Sequence, residues 1–279
     1  MLKNHVKRKL IQLGDSSFAI TLPNRWIKEN KLSKADELEL TISDNKVIIS
    51  NKNKEEIKRV TLDLRGKSKK FCWFSISTQY MKGIEEFEIL CDKDNIEAVK
   101  QIIDFLVGAV IISENNYELN VECISEPNEN LKEKVLNKLI FKMRNLVEEA
   151  VAELLTKGSY ERFKEKDHEL NKLFFYCIRA LRKQNKIDNQ DILLIQSFEN
   201  IMDAFEQVVN KNIKSEKLKN FEDLFKELTD IYFNPSKKDD LFKVYELASK
   251  LKNECNDETM RSVFNSVKRT IEIITPALN

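Results

Sequence analysis

The sequence predicts an α+β protein in three parts: a small β-rich head over residues 1–52, a compact βαβαββ domain over 56–126 and an all-α bundle over 129–279. Three observations lead there. Short alternating apolar runs, broken by polar turns, fill most of the first 125 residues. Beyond Pro127, apolar residues recur at three- and four-residue steps to the end of the chain. Only five glycines and four prolines punctuate 279 residues that carry 16 phenylalanines, the balance of a helix-rich chain with a bulky core.

The head reads as a basic strand from Lys7, a Gly14-Asp15-Ser16-Ser17 turn and a second strand over Phe18–Leu22 that stops at Pro23. A short amphipathic helix follows over Asn24–Asn30, anchored by Trp26 and Ile27. Strands over Glu37–Ile42 and Lys46–Ser50 complete it. A segment of about 50 residues buries too little surface to stand alone comfortably. Yet Ile11, Leu13, Phe18, Ile20, Leu22, Leu38, Leu40, Ile42, Val47 and Ile49 are many apolar residues for so few strands. Two copies sharing one core would resolve this, so the head is expected to form a homodimer. Its charge is local: eight Lys and Arg within residues 1–34 oppose Asp15 and Glu29, a net +6 in a chain whose total is +1. A basic excess repeated by a two-fold axis can neutralise several phosphates. A solvated Lys-rich face is the alternative reading.

The order basic strand, Gly-x-x-Ser turn, strand ending Leu-Pro, helix with Trp, then Leu-x-x-x-Asp-x-Leu resembles the AbrB/MazE/SpoVT family of swapped-hairpin DNA-binding domains. Arg8, Lys9, Gly14, Ser16, Ser17, Ile20, Leu22, Pro23, Trp26, Leu32, Asp36 and Leu38 carry the resemblance, over about the first 50 residues. It implies a swapped-hairpin dimer that holds DNA, here through Lys7, Arg8, Lys9, Arg25 and Lys28. Asp36-Glu37 departs from the family's usual Gly-Asp or Asp-Glu and should alter a turn rather than the fold. His5 is a further candidate phosphate contact.

In the middle domain, Arg59–Leu64 and Glu86–Cys91 read as strands. Phe71–Met81 is read as a helix, although Phe71–Phe74 could also be strand. Asp94 or Asn95 should cap a helix running to Phe105. Ala109–Ser113 and Tyr117–Ile124 should form a hairpin around Glu114-Asn115-Asn116, since Asn tolerates positive φ. The result is a two-layer, ferredoxin-like unit with its helices on one face of a four-stranded sheet. Trp73 and Phe74 could stack on a ligand or base, but an aromatic pair in a helix is more often core. Lys67, Lys69 and Lys70 could touch phosphate or simply line a solvated loop.

The bundle reads as helices over 130–157, 159–184 and about 189–209, then 221–233, 239–254 and about 258–274. These form two sets of three. Gly158 and Pro276 should stop helices, and Ser159, the Asp188–Asp191 run and Asp257 should start them. Antiparallel helices with short loops form a bundle. Within the first set, Lys164–Phe175 and Ser197–Phe205 resemble the two signature helices of the PhoU family. In that family acid pairs at i and i+4 gather iron- or zinc-type ions. The spacing is physical, because i and i+4 share one helical face. The resemblance implies a divalent or ferric metal ion held by Asp167, Glu199 and Asp203. Asn171 replaces one expected acid, Asn200 and Ala204 stand where the family often has Arg and His, and the second set has no matching pair. Ordinary polar-face acids are the alternative reading. His168, among charged neighbours, is expected to be exposed.

No apolar run approaches the ~20 residues needed to span a bilayer, and the N-terminus lacks the apolar segment of a signal peptide. A cytoplasmic protein is expected. Five scattered cysteines, none in Cys-x-x-Cys spacing, point to buried reduced thiols rather than a disulfide framework or a zinc site. Enzymatic activity is not expected, since there is no Gly-rich phosphate loop and no Ser/His/Asp or Cys/His arrangement. The whole order resembles archaeal proteins that join an AbrB-type head to a PhoU-type bundle and regulate phosphate uptake. That resemblance implies a homodimeric DNA-binding regulator whose bundle senses a signal or docks a phosphate transporter or histidine kinase. The rival is an adaptor that works by protein contact alone, its head serving only to dimerise.

Overall fold

The computed structural model describes residues 7–43, 46–51, 57–124, 131–183 and 189–275. The chain divides into two compact units, residues 1–56 and 57–279. The described part is α+β, with paired strands toward the N-terminus and helices beyond.

The first unit contains β1 (Ile11–Leu13), β2 (Ser17–Ala19), α1 (Asn24–Glu29), β3 (Glu39–Ser43) and β4 (Lys46–Ser50). β1 pairs antiparallel with β2, Leu13 opposite Ser17, and β3 pairs antiparallel with β4, Glu39 opposite Ser50. Gly14 opens the first turn at φ +73°, a left-handed conformation that glycine adopts without a steric cost. Lys7–Leu10, expected to be part of the first strand, instead precede it as exposed chain without regular structure. The second strand stops at Ala19, three residues earlier than its alternation suggested. Neither shift is surprising, because these short strands have one partner each and no packed face to extend them. No described residue of this unit is buried. Trp26 and Ile27 are half-buried, whereas Phe18 is 60% and Ile42 78% exposed.

The second unit begins with β5 (Arg59–Asp63), α2 (Lys69–Met81), β6 (Glu86–Leu90), α3 (Ile96–Phe105), β7 (Ala109–Asn115) and β8 (Glu118–Cys123). The sheet order is β5-β6-β8-β7, with β5 parallel to β6 and the other neighbours antiparallel. Phe87, Ile89, Leu119 and Val121 point into a core shared with Cys72, Ile76 and Tyr80 of α2 and Val99, Ile102 and Ile103 of α3. The opposite strand positions carry Thr61, Glu88, Asn120 and Glu122, as expected for a sheet with one solvated face.

Two local readings are corrected. The turn of the last hairpin lies at Asn116 and Tyr117, both at positive φ, because Asn115 already pairs with Glu118. A two-residue loop of this kind needs positive φ at both central positions. The carboxylate at the start of α3 is Asp92, which accepts from the N–H groups of Asp94 and Asn95 at 3.0 and 3.1 Å. The Asn95 amide is instead turned inward and donates to Leu64 O at 2.6 Å.

Six α-helices follow: α4 (Leu131–Thr156), α5 (Phe163–Lys183), α6 (Asn189–Asn210), α7 (Lys217–Phe233), α8 (Leu241–Glu254) and α9 (Glu258–Ile274). A 3-10 turn over Pro235–Asp240 separates α7 from α8, which starts at Leu241 rather than at residue 239. α5 starts at Phe163 rather than beside Ser159, because Tyr160 first turns the chain inward and packs on Phe163. α9 starts behind Asp257, whose carboxylate accepts from Met260 N–H at 2.8 Å. The expected capping residue Asp188 and the stop at Pro276 lie outside the described residues. α6 packs chiefly on α9, α4 on α5 and α7, and α8 on α9. Their shared core holds Leu139, Met143, Phe163, Phe198, Phe205, Phe221, Phe225 and Phe264, each nearly or fully buried. All five cysteines are free and buried.

The α/β layer and the bundle meet along α2 and α5. Arg179 of α5 is fully buried and donates from Nη1 to Tyr80 O and Ile84 O at 2.9 and 2.6 Å, with its guanidinium 4.8 Å from the Tyr80 ring. It thereby satisfies carbonyls at the end of α2 with a positive charge, the sign a helix C-terminus favours. Lys183 to Glu85 at 2.6 Å and edge-on packing of Trp73 with Phe105 and Phe175 extend the contact. Trp73 is thus packed, while Phe74, one residue on, is 56% exposed.

Candidate nucleic-acid interface and an acidic cluster

The five basic residues read from the sequence as DNA contacts are all exposed. Lys7, Arg8 and Lys9 lie in the segment leading into β1, and Arg25 and Lys28 lie on α1. They therefore come from two elements of one small unit. Arg25 is not free: its Nε donates to Glu29 Oε1 at 2.6 Å, one helical turn away. That pair is solvent-exposed and worth little, so a phosphate can compete for the guanidinium. Lys28 sits in the last turn of α1, and Lys7, Lys9 and Lys28 have no ion pair among the described residues. Long cationic side chains on open backbone suit phosphate contact, which positions a protein on nucleic acid without reading its sequence. His5 lies outside the described residues.

The apolar side of the same unit is equally informative. Leu10, Ile11, Leu13, Phe18, Ile20, Leu40, Ile42 and Val47 are each 46–78% exposed. Single exposed apolar residues are ordinary, but a unit whose strands expose nearly all of theirs lacks a core of its own.

The three acids read as metal ligands do come together, on α5 and α6. Sequence reasoning missed a fourth, Glu206, although Glu199, Asp203 and Glu206 follow the i, i+4, i+7 spacing of one helical face. Burial and neighbouring charge raise three of these carboxyls. Burial, then Asp203, Asp167 and Glu206, push Glu199 up to about 8. Burial, then Glu206 and Asp203, push Asp167 up to about 6, against a lowering hydrogen bond from Asn171 Nδ2 at 2.8 Å. Asp203 is also raised, by loss of water around its carboxyl and then by Glu206. Its side chain is still exposed overall, because it lines an open groove of about 520 Å³ between α6 and α9 with Asn200, Ser266 and Arg269.

Carboxylates are the right chemistry for a hard cation, but their arrangement is not that of a binding site. Among the described residues no group of three or more His, Cys, Asp or Glu is placed to hold a metal ion. Asn171 presents its amide N–H₂ to Asp167 rather than offering an oxygen beside it. The cluster as it stands is a set of like charges that favours protons. His168 is exposed, edge-on to Phe105 at 4.9 Å between ring centres.

Residues 11–57 match the family described as antidote-toxin recognition MazE, bacterial antitoxin. The match takes in most of the first unit and supports a MazE/AbrB-like domain there, and it begins after Lys7, Arg8 and Lys9. No curated protein and no solved structure matches the chain. Among the described residues no helix is long and apolar enough to cross a membrane.

Proposed function

We propose that this protein is a DNA-binding transcriptional regulator that acts as a homodimer through its head, with a PhoU-like helical bundle coupling it to phosphate uptake. The observation that carries the reading is the head itself: a MazE/AbrB-like segment with exposed cations on one chain segment and one helix, and an apolar surface that a lone copy leaves in water. Two heads that exchange hairpins bury that surface and double the basic rim. Lys7, Arg8, Lys9, Arg25 and Lys28 then hold the phosphate backbone, with base contacts supplying specificity. The order of the six described helices supports the PhoU-like part, whose task is to receive a signal or to dock a transporter or kinase. The protein is not an enzyme in this reading, and it works in the cytoplasm.

A mobility-shift assay on duplex DNA with a salt titration tests it. Affinity should fall steeply as salt rises, because each neutralised phosphate releases about 0.9 of a counterion. Replacing Lys7, Arg8 and Lys9 with alanine should flatten the salt dependence. Absence of salt-sensitive binding to any duplex, from a chain that still dimerises, would leave the adaptor reading in its place. The matched family is one of bacterial antitoxins, and co-purification of a small toxin partner would favour that role for the head.

A further inference from the structure

The start of α2 presents two half-exposed aromatic rings beside three lysines, on a different unit from the head. Phe71 and Phe74 are 50% and 56% exposed, three residues apart, and so lie side by side on one helical face. Trp73 and Ile76 of the same helix are turned inward, so the exposure is not a consequence of a loosely packed helix. Lys67 Nζ lies 5.6 Å from the Phe71 ring centre and Lys70 Nζ lies 5.8 Å from that of Phe74. Lys69 stands exposed at the first helical position. None of the three lysines makes an ion pair among the described residues.

The nearby acids are already engaged. Asp63 is held by Arg65, whose Nη2 lies 2.5 Å from Oδ2. Asp92 accepts from the N–H groups of Gly66, Asp94 and Asn95. The three lysines are therefore available to an outside anion, and the N-terminus of a 13-residue helix adds to the positive potential. The solvated face of the adjoining sheet has the opposite character, with Glu86, Glu88 and Glu122 on neighbouring strands.

We propose that Phe71, Phe74, Lys67, Lys69 and Lys70 form a binding surface for single-stranded nucleic acid. Each ring carries a lysine ammonium over one face and is about half exposed, and such rings interleaved with cations match a chain of unpaired bases joined by phosphates, the lysine swinging aside to a phosphate as a base stacks. Stacking accepts every base, and the lysines track the backbone. A duplex would offer no base faces to these rings. The surface lies outside the MazE-like segment and does not require the head to bind DNA.

The test uses the full chain and a fluorescein-labelled oligothymidylate of about 12 nucleotides, read by anisotropy across a salt series. Phe71→Ala/Phe74→Ala should weaken binding roughly tenfold or more and leave the salt slope unchanged. Lys67→Ala/Lys69→Ala/Lys70→Ala should reduce the salt slope by about 2, from ~0.7 per phosphate on a single strand. Lys7→Ala/Arg8→Ala/Lys9→Ala in the head should leave oligothymidylate binding as it was. All the replaced side chains are exposed, and circular dichroism checks that each variant is folded. The proposal is overturned if the unaltered chain does not bind the oligothymidylate. It is also overturned if the phenylalanine variant binds like wild type, or if only the head variant loses binding.

Discussion

Glu199 is a largely desolvated carboxyl near Asp203, Asp167 and Glu206, and its protonation is where pH reaches into the fold. Its folded pKa of about 8 and the value of about 6 for Asp167 stand above those of free side chains. The native state therefore keeps protons that the unfolded chain releases, and stability falls as pH rises between the unfolded and folded values. The benefit is complete below about pH 4 and is lost through pH 6 and then 8. Thermal unfolding should show a midpoint that drops by ~5 °C or more between pH 5 and pH 9, and Glu199→Gln should remove most of that drop. Arg179 is the second residue whose removal should be felt widely. It is fully buried, and its Nε and Nη2 have no partner while Nη1 serves two carbonyls. Arg179→Ala empties that space and strands both carbonyls, costing about 3 kcal/mol or more in urea unfolding. Amide exchange should quicken near Gly83 and Ile84, at the end of α2.

At the scale of elements, short pieces depend on turn geometry. Ala35 sits at φ +73°, between α1 and β3, where a side chain is strained. Asp36 follows it and accepts from Ser33 N–H at 2.7 Å, which fixes the turn. The sequence reading located the departure from the family pattern at Asp36-Glu37, and the strain is found one residue earlier. Ala35→Gly should relieve about 1–2 kcal/mol of steric cost against roughly 0.5–1 kcal/mol of added unfolded-state entropy. A small gain in the head's thermal midpoint is the expected result.

At the scale of the whole molecule, the first unit should not persist alone. Burying the eight exposed apolar side chains of the head would yield roughly 1 kcal/mol each, since they are about half exposed. A total of about 8 kcal/mol per head is comparable to the roughly 4–15 kcal/mol that association costs in lost freedom. Exchange of backbone pairing would add to it. Phe18→Lys/Ile42→Lys should therefore yield a monomer by sedimentation, with the head unfolded and residues 57–279 still folded. A chain that sediments as a monomer before any substitution would remove the dimer and the duplex-binding reading with it.

Much of this architecture was legible in the amino-acid order. Periodicity located the strands of the sheet and all six long helices, because each buries one face and repeats its apolar residues accordingly. Net charge and the crowding of apolar residues in a short head raise the expectation of a partner copy and of phosphate, which sedimentation and the salt titration test. Strand ends in the head and the turn at Asn116-Tyr117 were not legible, since pairing register settles them and register depends on a distant strand. Nor was the fate of neighbouring aromatics: Trp73 is packed and Phe74 half exposed, a difference set by how α2 lies against α3 and α5. The same holds for the acids. Sequence spacing aligns Glu199, Asp203 and Glu206 on one face of α6, but only the approach of α5 determined that Asp167 would crowd them, and crowding in a water-poor gap is what raises the affinity of Glu199 and Asp167 for protons.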